Sequence, residues 1–295
     1  MINVDPTWPR ASLLLVEPAK AGPKDVGLLG AHTCRTSLSP RSTVSTPLAV
    51  REALSHYSTW NYLDQRDLSD GPRAVDYGDV LNPDDDGADW TALTRPHPFW
   101  IFLGGDNALT WQALRRLGGS RLESWGLLTL DAHHDLRDGR SNGSPVRQLL
   151  DEGVRGNNIV QVGIADFANS ATYARRASEA GVRVVSRHEV RERTLSVVVD
   201  EALSDLATRV DRIYVDVDVD VMDRAFVPGC PAAVPGGLTV DEVRGAVRRL
   251  AAHPLVAAMD FTEVDVERDT ADGRTVRTVA LLSLDALAGY QRRTR

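Results

Sequence analysis

Trp125-Gly126-Leu127-Leu128-Thr129-Leu130 runs without a break into Asp131-Ala132-His133-His134-Asp135. The first six residues are short and apolar, which suits a strand buried on both faces better than a surface helix. Side chains alternate along a strand, so a chain that stays extended past Leu130 places Asp131, His133 and Asp135 on one face. Two carboxylates and an imidazole suit Mn, Zn or Fe. Ligands of open α/β sheets gather at the carboxyl ends of the strands, where this string begins. Taken alone, the string also fits an ordinary strand end at the surface.

The pattern returns in Asp216-Val217-Asp218-Val219-Asp220, read as part of a strand over 212–221. Three carboxylates on one face of a buried strand repel one another and are costly to bury unpaired. A divalent cation compensates them. An exposed edge strand is the plainer alternative, and the valines between the acids argue against it.

Further outward, apolar runs predict strands over 99–103, 159–164, 182–185 and 255–261. Amphipathic periodicity predicts helices over 111–117, 145–152, 170–180, 195–210, 240–250 and 276–290. Strands alternating with helices indicate parallel βαβ units, with helices on both faces of one sheet. Neither a repeat nor a linker interrupts residues 1–295, so a single domain is expected. Asn82-Pro83-Asp84-Asp85-Asp86-Gly87 reads as a charged turn; it lacks the spaced ligands and closing Glu of a calcium loop.

The chain has 295 residues, 42% of them hydrophobic and 25% charged, with a formal net charge of −7. That balance suits a globular fold and disfavours nucleic acid as a partner. Met1-Ile2-Asn3-Val4-Asp5-Pro6 opens without a basic, apolar leader, and no stretch is apolar enough to span a membrane. A soluble cytoplasmic protein is expected. Cys34 and Cys230 are too few and too far apart in sequence for a disulfide framework. Arg292-Arg293-Thr294-Arg295 reads as a frayed basic tail.

Set side by side, these strings resemble the motifs of the ureohydrolase family of arginases, agmatinases and formimidoylglutamases. Gly104-Gly105-Asp106-Asn107 resembles its Gly-Gly-Asp-His, Asp131 to Asp135 its Asp-Ala-His-x-Asp, and Asp218-Val219-Asp220-Val221-Met222-Asp223 its Asp-x-Asp-x-x-Asp-Pro. Pro235-Gly236-Gly237-Leu238-Thr239, Asp260-Phe261-Thr262-Glu263-Val264 and Thr46-Pro47-Leu48-Ala49-Val50-Arg51-Glu52 resemble further family segments. The resemblance covers about residues 25–290. It implies a three-layer α/β/α arginase-like fold with a mostly parallel central sheet, two Mn2+ ions and a homo-oligomer. Carried over by position, one ion is held by Asn107, Asp131, Asp135 and Asp218, and the other by Asp131, His133, Asp218 and Asp220.

Two departures bear on activity. Position 107 is Asn where arginases and agmatinases have a His ligand; a neutral amide oxygen is the weaker donor, so the first metal site is expected to be the weaker. Asn142 stands where arginases have a proton-shuttling His, which argues against arginase proper. Asp223 is followed by Arg224 instead of Pro, a change expected to affect only the turn.

Arg137 bears most on the substrate. Asp-Ala-His-x-Asp-Leu-Arg is similar to formimidoylglutamases, and a guanidinium there would pair with a carboxylate and repel a cationic tail. The plain alternative is a solvated Arg or an ion pair with Asp138. The implied reaction is hydrolysis of N-formimidoyl-L-glutamate, from histidine degradation, to glutamate and formamide. Arg137, Asn142, Asn169 and Glu263 are the candidate substrate-binding residues, and Asp135 and Glu263 the catalytic ones; a helix N-cap is the alternative for Asn169. An agmatinase or guanidino-acid hydrolase releasing urea, and a degenerate non-catalytic relative, are the competing readings.

Overall fold

In the computed structural model, which describes residues 5–39 and 45–294, apolar runs become strands wherever helices cover both faces of a sheet. The strands are β1 (Leu15–Val16), β2 (Val26–Ala31), β3 (Trp60–Asn61), β4 (Arg66–Asp67), β5 (Ala74–Asp79), β6 (Trp100–Gly104), β7 (Trp125–Leu130), β8 (Ile159–Ile164), β9 (Arg183–Ser186), β10 (Arg212–Asp218) and β11 (Val256–Thr262). The α-helices are α1 (Thr46–Ala53), α2 (Ala108–Gly118), α3 (Pro145–Asp151), α4 (Ala171–Ala180), α5 (Arg187–Arg193), α6 (Leu195–Leu206), α7 (Val240–Ala252) and α8 (Arg274–Gln291). Nine strands form one sheet in the order β1-β5-β2-β6-β11-β10-β7-β8-β9. Every pairing described within it is parallel. β3 and β4 form a small antiparallel pair apart from it.

Alternation along the strands divides the interior into two cores. Ile101, Leu103, Leu128, Leu130, Val215 and Val217 pack with apolar residues of α1 and α5–α8. Phe102, Leu127 and Tyr214 pack with those of α2 and α3 on the other face. The result is the α/β/α layering expected from the sequence. Cys230 is a buried free thiol. No helix of the described residues is long and apolar enough to cross a membrane. The opening stretch at 1–4 and the last residue of the basic tail lie outside the described residues.

The centre of the sheet positions the site. β6, β11, β10 and β7 are consecutive neighbours, so the residues just past their carboxyl ends emerge side by side. These are Asn107 after β6, Glu263 after β11, Asp218 at the end of β10 and Asp131 after β7.

Two local expectations are corrected. The strand predicted over 212–221 stops at Asp218, and residues 219–221 form a 3-10 turn. Asp218 Oδ1 accepts the Asp220 N–H at 2.8 Å and draws the chain out of the ladder, so Asp220 reaches the site by a turn and not by strand alternation. The chain past Leu130 is likewise not extended. Asp131 Oδ1 accepts the His133 N–H at 2.6 Å, and Asp135 has φ of 53°. A side chain that captures the amide two residues on competes with the ladder, and here it wins in both strings.

Candidate metal centre and pocket

Carboxylates dominate the carboxyl edge of the central strands, and they are buried. Asp131 is fully buried, and Asp218 and Asp220 are nearly so. Asp220 Oδ2 lies 2.7 Å from His133 Nδ1, and its Oδ1 accepts the Ala132 N–H at 3.0 Å. His133 Nδ1 is also 3.7 Å from Asp131 Oδ1. One ligand atom each from Asp131, His133 and Asp220 lies within 4.8 Å of the other two. Oδ2 of Asp131 has no hydrogen-bond partner despite its burial.

The electrostatics follow from that crowding. Burial, then the neighbouring Asp220, pushes the Asp131 carboxyl up to about 7. Burial disfavours the His133 imidazolium, but Asp220 and Asp131 outweigh it and push the ring up to about 12. Burial also opposes the charge of Asp220, which His133 nonetheless holds below the usual carboxylate range. Asp218 and Asp135 are raised well above that range, by burial first and by neighbouring acids second. Among the described residues, the His133 imidazolium is the positive group in direct contact with these acids, and the buried Arg187 acts on Asp220 and Asp131 from farther off. A divalent cation is the natural replacement for that proton, and carboxylate plus imidazole is a donor set that first-row metals accept. The orphaned Asp131 Oδ2 gives such an ion a ready ligand, so the residues fit a metal.

The flanking groups are held from outside the cluster. Asn107 Nδ2 donates to Asp135 Oδ2 at 2.7 Å, while its Oδ1 accepts from the hydroxyls of Thr110 and Thr262, both at 2.9 Å. In this arrangement the amide nitrogen, not the oxygen, faces the acids. The Asn107 N–H donates to Glu263 Oε1 at 2.9 Å, and so does Asn142 Nδ2 at 2.9 Å. Asn142 Oδ1 accepts the Leu38 N–H at 3.0 Å. Gly105 makes the approach after β6 possible: a Cβ there would lie 2.1 Å from the Thr33 carbonyl oxygen. Asp135 and Glu263, with φ of 53° and 65°, both sit in the left-handed region that few non-glycine residues occupy. Such strain, on the order of 1–3 kcal/mol each, gathers at functional sites.

A pocket of about 180 Å³ opens over this edge, lined among others by His133, Asp135, Asp218, Asp220 and Glu263 on its floor side and by Arg137, Asn142, Asn169 and Tyr173. Arg137 is exposed and its guanidinium has no ion pair among the described residues. Asp138, its alternative partner, pairs with Arg176 at 2.9 Å and Arg147 at 3.9 Å. Asn169 lines the pocket, but its amide serves the backbone: Oδ1 accepts the His134 N–H at 2.9 Å and Nδ2 donates to the Ala132 carbonyl at 2.9 Å. Ser170, not Asn169, caps α4.

The sequence reading passed over Thr110 and Thr262, the two hydroxyls that orient Asn107. Their positions carried a signal. Thr110 follows Asn107 by one helical turn, and Thr262 precedes Glu263 inside a segment already singled out. The Pro235 to Thr239 segment also gains a physical role. Asp223 Oδ2 accepts the Gly236 N–H at 2.6 Å, and Met222 bridges to Leu238, which braces the turn that carries Asp220.

Comparison with known proteins agrees with this geometry. The arginase-family sequence profile matches residues 24–289. The formimidoylglutamase of Halalkalibacterium halodurans is 35% identical over 278 residues, covering 89% of this chain and 86% of its own. The crystal structure of formimidoylglutamase from Bacillus subtilis superposes with a TM-score of 0.89 at 30% identity, over 99% of this chain and 94% of that one. A Trypanosoma cruzi formiminoglutamase solved with Mn2+ shares the fold, with a TM-score of 0.83 at 22% identity over 97% of this chain and 99% of that one.

Proposed function

The chain belongs to the arginase family, and from that premise we propose that it hydrolyses N-formimidoyl-L-glutamate to glutamate and formamide in the cytoplasm, as a manganese enzyme and a homo-oligomer. The observation that carries this reading is the polarity of the pocket. An unpaired guanidinium, Arg137, stands at its rim, and an acid-rich floor that includes Glu263 lies beneath. That matches a substrate with carboxylates at one end and an amidinium at the other. A cationic tail such as that of agmatine would meet Arg137 instead.

Asp131, His133, Asp135, Asp218 and Asp220 would hold the ions, two per chain, with Asn107 a sixth, weaker candidate only if its amide oxygen is turned from Thr110 and Thr262 toward them. When bound, they supply Lewis-acid activation of water at neutral pH. The remaining work falls to the chain's own groups. Arg137 takes a substrate carboxylate by bidentate bonds. Glu263, fixed by two amide donors to Oε1, receives the amidinium and orients its carbon. Water adds to that carbon, the bond to the glutamate nitrogen breaks, and the nitrogen leaves with a proton. Asp135, held by Asn107, is placed to pass that proton. The carbon departs as formamide.

The test is a screen of the manganese-loaded protein over formimidoylglutamate, arginine, agmatine and guanidinobutyrate. Formamide release from the first substrate alone is expected. Urea from any of the others would replace this reading with a guanidine hydrolase, and no turnover of any would leave a non-catalytic relative.

A further inference from the structure

We propose that the acidic turn Asp84-Asp85-Asp86 is a positioning device that holds the two walls of the pocket in register. The turn is not among the residues lining the pocket, and nothing in the reaction above uses it. Each of its three carboxylates is nevertheless engaged, and with groups from two separate loops. Asp84 Oδ2 accepts the backbone N–H groups of Cys34 at 3.0 Å and Arg35 at 3.1 Å. Asp85 pairs with the Arg35 guanidinium. Asp86 accepts from Arg140 Nη1 at 2.9 Å, and the Asp84 carbonyl accepts from Arg140 Nη2 at 3.0 Å.

One side of the turn therefore grips the loop that carries Leu38 and Ser39, and the other grips the loop that carries Arg137, Asn142 and Gly143. All five of those residues line the pocket. Arg140 is a firm post for this purpose, because its guanidinium carbon sits 4.9 Å from the ring centroid of the buried Trp111. The two loops meet again at the pocket, where the Leu38 N–H bonds Asn142 and Asn142 bonds Glu263. The contacts form a closed circuit running from a solvent-facing turn to the carboxylate that receives the amidinium. Asp85 and Asp86 are 49% and 85% exposed, and exposed ion pairs add little to global stability. What they can do is bias which arrangement of the rim is populated, and a modest bias acts directly on apparent affinity.

This inference rests on the proposed hydrolysis for its kinetic arm only. In the manganese-loaded protein, Asp84→Ala is expected to raise KM for formimidoylglutamate about five- to tenfold while kcat stays within about twofold. Hydrogen–deuterium exchange should quicken together in residues 34–39 and 137–143 and nowhere else. Asp84→Asn, which keeps an acceptor oxygen, should recover part of both effects. Should Asp84→Ala fail to fold, the exposed Asp86→Asn carries the same expectation for 137–143. Unchanged exchange in those segments overturns the proposal, as does exchange that quickens across the whole chain with kcat falling alongside. Should wild type turn over no formimidoylglutamate, the hydrolase reading fails and the exchange measurement alone decides the role of the turn.

Discussion

Asn142 donates to Oε1 of Glu263 at 2.9 Å, joining residues 121 apart in sequence within the lining of the pocket. A bond to a charged acceptor contributes roughly 1.5–3 kcal/mol, and here it fixes the direction of the group proposed to meet the substrate. Asn142→Ala is therefore expected to lower kcat/KM about 10–100-fold. The thermal midpoint should move little, since Asn142 stands at the pocket wall and not in a core. Steady-state kinetics beside a melting curve checks both halves.

Arg137 is proposed to have the opposite task, at the rim. Arg137→Ala should raise KM for acidic substrates about 10–100-fold by loss of charge-assisted bonds, with far less effect on cationic ones. Gly143 supports that side chain: a Cβ on Gly143 would lie 2.8 Å from Arg137 Cδ and 3.2 Å from Leu38 Cδ1. Gly143→Ala should thus push the guanidinium aside and reproduce the same preference in weaker form. An unchanged preference between acidic and cationic substrates in Arg137→Ala would remove it as the carboxylate reader.

Behind the site, Asp216 and Asp260 are register partners on adjacent strands, both buried. Tyr214 donates to Asp260 Oδ2 at 2.7 Å and the Thr110 hydroxyl oxygen lies 2.8 Å from it, while Asp216 Oδ1 has no partner. Burial raises both carboxyls above the usual range, and the charge of Asp260 adds to the rise at Asp216. A carboxyl raised by folding binds more protons folded than unfolded, so stability falls as pH climbs out of the ordinary carboxylate range near 4. Asp216→Asn should remove much of that penalty. We expect it to be more stable than wild type at pH 8 by on the order of 1–2 kcal/mol and little different at pH 4, in denaturant titrations at the two values.

How much of this was legible in the sequence depends on burial. β6, β7, β8, β10 and β11 are covered on both faces, so each reads as an apolar run. β2 is broken by Gly27 and Gly30, β1 is two residues long, and β5 trails into Asp76, Tyr77, Gly78 and Asp79 toward solvent. Their pairing comes from tertiary context that no local pattern displays. At the site, the spaced acids announced the cluster, but strand alternation gave the wrong route to Asp135 and Asp220 because side-chain capture of backbone amides bends both strings. The Thr262 bond that completes the orientation of Asn107 and the reach of Asn142 to Glu263 join residues more than 100 apart in sequence and are visible only once the chain is folded.

The nest of acids around His133 also predicts how the protein answers to metal. Without a cation, Asp131, Asp218 and Asp135 are held above the usual carboxylate range largely by burial, and binding should release protons as these groups become ligands. Calorimetric titration with Mn2+ at neutral pH in two buffers of different ionisation enthalpy should therefore show net proton release. Equal heats in the two buffers would mean that neither these carboxyls nor His133 carry a proton to release.

The most direct test is the manganese content of the purified, manganese-loaded chain after exhaustive dialysis, measured by elemental analysis. Close to two Mn per chain is expected, falling toward zero when Asp131→Ala removes the ligand with the orphaned oxygen. A wild-type protein that keeps no manganese under those conditions would contradict the account at its root.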